Sequence, residues 1–164
     1  MIQLSSYNPI SFEMNITPVV RELIAKNKHF NLSLPIVTAP GEPLVFREYK
    51  EGDTLAQSSI FKVMEPLPSK KRVYPQVIIV PLMGFIEDCH RLGYGGGFYD
   101  RSIAQMKELY NGHVLTIGVA FEAQKFDSFS APAEERGEKC SKVSKMREKF
   151  ENNQSIKWVQ LDTD

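Results

Sequence analysis

The chain has 164 residues, 42% of them hydrophobic, and its twenty Lys and Arg balance twenty Asp and Glu. At about 150 residues per domain this is a single domain over 1–164, large enough to bury a core without metal or disulfide support. A formal charge of zero excludes a global field that would draw it onto nucleic acid or anionic lipid, and the widely separated Cys89 and Cys140 have the spacing of neither a zinc site nor a disulfide scaffold.

The N-terminus, Met1 to Pro9, lacks the basic start and apolar run of a signal peptide, and the longest apolar stretch, Val77 to Phe85, is interrupted by Pro81. The expectation is a soluble protein of a reducing cytoplasm, with no membrane and no nucleic-acid partner. The first regular element is a helix from Thr17-Pro18, a capping residue followed by proline, with Val19, Val20, Leu23 and Ile24 at helical spacing as far as Asn27. Phe30 to Leu34 alternates with period two, and Pro43 to Tyr49 forms a second extended run beyond Pro40-Gly41-Glu42. Together they read as the start of a βαβ arrangement at a sheet edge. From Lys50 to Tyr74 the polar, proline-bearing sequence predicts a long surface connection, and structureless loops of that length are usually functional.

Val77-Ile78-Ile79-Val80 is a continuous β-branched run, the pattern of a strand covered on both faces, and predicts the central strand. After the polar turn at 87–91 come a glycine run and a helix with Phe98, Ile103, Met106 and Tyr110 on one side, then a strand over Val114 to Phe121. Buried strands alternating with amphipathic helices predict a three-layer α/β/α fold around a mostly parallel central sheet. From 131 to 153 the sequence is polar, with a sparse helical stripe of Val143, Met146 and Phe150 and an expectation of poor order; Ile156 to Leu161 reads as a terminal strand.

The chemistry-bearing segment is Arg91-Leu92-Gly93-Tyr94-Gly95-Gly96-Gly97-Phe98-Tyr99-Asp100-Arg101. Glycines between a strand and a helix let backbone N–H groups converge on one point. The helix start adds partial positive charge and the two arginines add full charges, so phosphate is the natural guest. Asp100 would repel a bare phosphate and makes better sense holding Mg²⁺ carried on a nucleotide. Neither common phosphate motif is present: Phe98 stands where the dinucleotide fingerprint needs its third glycine, and no glycine here precedes the lysine of a Walker loop. The glycines alone are equally compatible with a tight turn.

The same segment, with Val80-Pro81-Leu82 before it and Ile117-Gly118-Val119-Ala120-Phe121 after it, resembles the 5-formyltetrahydrofolate cyclo-ligase (5,10-methenyltetrahydrofolate synthetase) family. The likeness runs from Ser11-Phe12-Glu13 through Leu34-Pro35, Phe46-Arg47 and Glu65-Pro66 to Gln124. It implies an ATP-dependent ligase that closes 5-formyltetrahydrofolate to 5,10-methenyltetrahydrofolate, with ADP and phosphate released. It further implies that Arg91, Leu92, Gly93, Tyr94, Gly95, Gly96, Gly97, Phe98 and Tyr99 line the ATP phosphates. Arg91 and Arg101 would then carry catalysis, Asp100 Mg²⁺, and Glu13, Phe61 and Glu65 the folate. The expected partners are a reduced folate and ATP.

The family pattern is not complete. A loop glycine is replaced by Lys62, where positive φ or close ligand approach would matter, and two family aspartates appear as Gln76 and Ile86. The family's further basic helix upstream of the segment resembling Ser5 to Glu13 has no counterpart, and neither does its second magnesium carboxylate, where this sequence reads Glu135 to Ser141. The resemblance therefore implies a cyclo-ligase of reduced activity, with a truncated, non-catalytic remnant or a nucleotide- or folate-binding protein as the alternative.

Overall fold

The computed structural model describes residues 1–11, 13–86, 89–127, 142–151 and 155–161, the last two segments as backbone. In chain order the elements are β1 (Ile2–Ser5), α1 (Thr17–Lys26), β2 (Phe30–Ile36), β3 (Val45–Glu48), β4 (Leu55–Gln57), β5 (Met64–Pro66), β6 (Arg72–Val73), β7 (Val77–Pro81), β8 (Gly84–Phe85), β9 (Arg91–Leu92), α2 (Phe98–Leu109), β10 (Leu115–Phe121), a 3₁₀ turn (Glu122–Gln124), β11 (Lys142–Glu151) and β12 (Ser155–Leu161). One eight-stranded sheet runs β12-β11-β10-β7-β1-β2-β3-β6. Its interior, from β11 to β2, is parallel throughout. The antiparallel strands stand at the margins.

β7 sits between β1 and β10 and is covered on both sides, as its unbroken β-branched sequence requires. Ile78 and Val80 pack with Ile103 and Met106 of α2, whereas Ile79 packs with Leu4 and Val20 on the α1 side. Alternate residues of one strand thus feed two cores, and this gives the three layers. Among the described residues no helix is long and apolar enough to cross a membrane.

Several details differ from the sequence reading. β1 was not anticipated, yet it lies inside the sheet, paired to both β2 and β7. Its presence makes β2 an interior strand instead of an edge. Thr17 is the first helical residue and not the cap: Ile16 is the N-cap, and the Asn15 side chain accepts the Thr17 N–H at 3.1 Å. The connection over 50–74 contains the β4–β5 hairpin and β6, because its short extended pieces find partners in each other and in β3. The central strand stops at Pro81, and Gly84–Phe85 forms a separate hairpin with β9. The stripe at Val143, Met146 and Phe150 belongs to a strand, β11, paired parallel to β10. The terminal strand is present as β12. Residues 131–141, including the 135–141 stretch compared for a second carboxylate, lie outside the described residues.

Chain direction across the sheet positions the site. From β1 the chain crosses by α1 to β2 on one side, and from β7 it crosses by α2 to β10 on the other. The carboxyl ends of β1 and β7 therefore diverge at a switch point, where open α/β sheets place their ligands.

Candidate functional site

A cavity of about 750 Å³ opens at that point. Tyr7 and Asn8 enter it from the end of β1, Leu34 and Pro35 from β2, Pro81 from β7, and the loop from Arg91 to Asp100 closes the opposite wall. Glu13, Phe61 and Glu65 line it as well. The structure thus gathers into one cavity every expected site residue except Arg101.

The glycine loop leads directly into α2. Gly97 is the N-cap in left-handed conformation (φ 63°), and no side chain caps the helix start. First-turn N–H groups without a side-chain acceptor at the wall of a cavity are an anion site in waiting. Arg101 works behind this wall: its Nη2 donates to the Gly96 carbonyl at 2.7 Å and its guanidinium lies 5.3 Å from the Phe98 ring centroid. A side chain at Gly97 would begin 2.6 Å from Arg101 Nη1, so glycine there permits both the backbone turn and the arginine's packing.

Arg91 is 4% exposed and ion-paired through Nη2 with Asp100 Oδ1. Its Nε is buried without a hydrogen-bond partner. Burying a guanidinium in this way is costly unless it is paired, and the pairing fixes the angle at which it meets the cavity. Among the described residues no three His, Cys, Asp or Glu side chains cluster tightly enough to hold a metal by themselves. Asp100 is one carboxylate, at the glycine-loop end of the cavity. That donor set does not suit a protein-held metal, but it does suit Mg²⁺ arriving on nucleotide phosphates, which keeps several waters and needs only one or two carboxylates.

At the other end Glu13 is held by its own turn: Oε2 accepts the Ile10 N–H at 2.9 Å while the Glu13 N–H bonds the Ile10 carbonyl at 3.0 Å. Burial pushes its carboxyl above the usual glutamate range, against the opposing pull of the Ile10 N–H and the Tyr94 hydroxyl. Burial, with the Glu13 charge added, pushes Tyr94 up to about 12. Tyr7 and Tyr99 are pushed further in the same direction, burial first and Glu13 second. All three phenols remain protonated, and the Tyr7 hydroxyl donates to the Met14 carbonyl at 2.8 Å. Glu65 is buried and accepts the Val37 N–H at 3.1 Å, which ties the β4–β5 hairpin to the end of β2. Phe61, near the tip of that hairpin, meets Phe98 edge-on with centroids 5.8 Å apart. Lys62 beside it is exposed, and it is not among the positive-φ residues, so the strain expected at that substitution is absent.

Tyr7, Asn8 and Ile10 line the cavity without having been singled out from the sequence. The only local signal for them was the turn-like Tyr7-Asn8-Pro9 following Ile2–Ser5.

A family model described as the 5-formyltetrahydrofolate cyclo-ligase family matches residues 2–145, which include every residue of this cavity. The chain belongs to that family. A 5-formyltetrahydrofolate cyclo-ligase of Haemophilus influenzae is 27% identical over 130 residues, covering 76% of this chain and 66% of the relative. One from Escherichia coli is 33% identical over 95 residues, covering 56% and 51%. The chain therefore spans between half and two-thirds of the length of these curated relatives. Among solved structures, the 5,10-methenyltetrahydrofolate synthetase of Aquifex aeolicus aligns with a TM-score of 0.66 at 23% identity, covering 99% of this chain and 74% of that one. The Mycoplasma pneumoniae synthetase aligns with a TM-score of 0.62 at 22% identity, covering 86% and 71%. Both share the α/β architecture of this cyclo-ligase family member.

Proposed function

We propose that this cavity binds MgATP and a reduced folate side by side and closes 5-formyltetrahydrofolate to 5,10-methenyltetrahydrofolate. The observation that carries the reading is the meeting, in one cavity at the switch point, of an uncapped helix start behind a glycine loop and a buried arginine with Glu13 and an apolar lining that includes Leu34, Phe61 and Val63. One end suits phosphates and the other suits a flat, nitrogen-rich ring.

The formyl oxygen is a poor leaving group. Its attack on the γ-phosphorus breaks the bond to the bridging oxygen, releases ADP and leaves an imidate-like phosphate. The neighbouring folate nitrogen then adds to the formyl carbon, loses its proton and expels inorganic phosphate, which closes the ring. Such chemistry is mostly positioning and charge neutralisation. The α2 N-terminus and the Gly93–Gly97 amides would cradle the phosphates, and Arg91 would neutralise charge building on the transferred group. Arg101 would act through the loop, by holding Gly96. Asp100 would hold Mg²⁺ brought with the nucleotide, and the ion would supply positive charge to neutralise the phosphates. Glu13 would accept ring N–H donors, with Phe61 covering the ring face and Glu65 fixing the hairpin that carries it.

A second reading, substrate binding with slow turnover, is favoured by one observation: Asp100 already bonds Arg91, so metal and arginine compete for it. Nucleotide binding to Asp100→Asn, with and without Mg²⁺, tests the assignment. The expected result is a larger loss of affinity with Mg²⁺ than without it, because Asn still accepts from Arg91 but is a poor magnesium ligand. Equal losses in both conditions would mean that Asp100 serves only to orient Arg91.

A further inference from the structure

We propose that Asn8 is a positioning residue for the reaction: by strapping the β4–β5 hairpin to the end of β1, it holds Phe61 over the folate end of the cavity. The inference rests on the function proposed above and adds a residue that acts through Phe61.

The hairpin stands apart from the main sheet. β4 and β5 are three-residue strands that form a two-stranded sheet of their own. A hairpin of that size has little stability in isolation, so its place depends on what ties it down. Among the described residues, two hydrogen bonds join residues 55–66 to other parts of the chain. The Val37 N–H, just past β2, donates to the Glu65 carboxylate at 3.1 Å, and the Asn8 side-chain amide, just past β1, donates to the Met64 carbonyl at 2.7 Å. Met64 and Glu65 are consecutive in β5, while β1 and β2 are neighbours in the sheet. Either bond alone would leave the hairpin free to pivot about its base. The pair fixes its tilt.

The tip passes that tilt on to Phe61. Ser58 Oγ accepts the Ile60 and Phe61 N–H groups, each at 3.3 Å. The Ser58 N–H donates to the Val63 carbonyl and the Val63 N–H to the Phe61 carbonyl, both at 2.8 Å. Tip and base therefore move as one piece. Phe61 lines the cavity and is 40% exposed, so its own packing holds it weakly and the base decides where the ring stands. The Asn8 bond lies at the surface, where losing it costs the fold little. Its consequence is local, at the ring that covers the folate.

The test is calorimetric titration of the whole chain with 5-formyltetrahydrofolate, and separately with a non-hydrolysable ATP analogue and Mg²⁺, for the native protein, Asn8→Ala, Phe61→Ala and the double variant. Asn8→Ala should weaken folate binding several-fold, with nucleotide affinity and thermal midpoint close to native. In the Phe61→Ala background the Asn8 substitution should cost nothing further, because the ring through which it acts is gone. Native folate affinity in Asn8→Ala, or losses that add fully in the double variant, would overturn the role of Asn8 and leave the functional reading standing. Failure of the native chain to bind folate would overturn the functional reading and the role of Asn8 with it. Hydrogen exchange supplies a ligand-free arm. The Val37 N–H, the hairpin's remaining tie, should exchange faster in Asn8→Ala than in the native protein, and unchanged exchange would show that the hairpin is held without Asn8.

Discussion

Glu13 is a carboxylate that the folded protein makes harder to ionise. Because its pKa lies above the unfolded value, the folded state holds the proton more firmly than the unfolded chain does. The stabilisation from this shift is fully present below the unfolded pKa and is lost as pH rises through the folded one. At neutral pH the charged Glu13 is therefore a cost to stability, retained for what it accepts. Glu13→Gln keeps the shape and one acceptor without the charge. The melting temperature of the variant relative to the native protein should rise from acidic to neutral pH, while any activity at the site is lost. A difference in melting temperature that stayed flat between pH 4 and 7 would show that burial does not penalise this carboxylate.

At the scale of the element, α2 ties the site to the core. Its Ile103 and Met106 are buried against β7, and Ser102, 0% exposed, accepts the Leu44 N–H at 2.8 Å and donates to the Phe98 carbonyl at 2.6 Å. One hydroxyl thus joins the first turn of α2 to the segment entering β3. Ser102→Ala leaves the Leu44 N–H buried and unpaired, a penalty of about 1–3 kcal/mol. A clear drop in thermal midpoint is expected, with looser nucleotide binding because the helix start is no longer pinned. A midpoint within error of the native protein would mean that the segment before β3 relaxes to find another acceptor. α2 was legible in the sequence because Ile103 and Met106 sit at helical spacing beyond a glycine run. The Ser102 link was not, since it depends on a residue 58 positions away.

For the whole molecule, the sheet divides into parts that are local in sequence and parts that are not. Val77 to Val80 announces a doubly covered strand by composition alone, and the structure covers it on both faces. β1 has only two apolar residues in alternation, Ile2 and Leu4, too few to separate from a loop; its place comes from pairing with β2 and β7. The β4–β5 hairpin was hidden in the same way, by three-residue strands within a polar stretch. The glycine-loop end of the site was readable because it is one contiguous segment. The Glu13 end needed β1 to carry Tyr7, Asn8 and Ile10 to the cavity, and it entered the sequence reading only through family resemblance.

On the function proposed above, one cavity at the switch point performs both phosphoryl transfer and ring closure. The most direct test mixes the purified whole chain with MgATP and 5-formyltetrahydrofolate and follows methenyltetrahydrofolate by absorbance and ADP by a separate assay. Equal amounts of the two products are expected, and none when either substrate is omitted. With Arg91→Ala the rate should fall about a hundredfold or more, the scale for loss of one preorganised charge donor. ADP formed without methenyltetrahydrofolate, or product formed at an undiminished rate by Arg91→Ala, would contradict it.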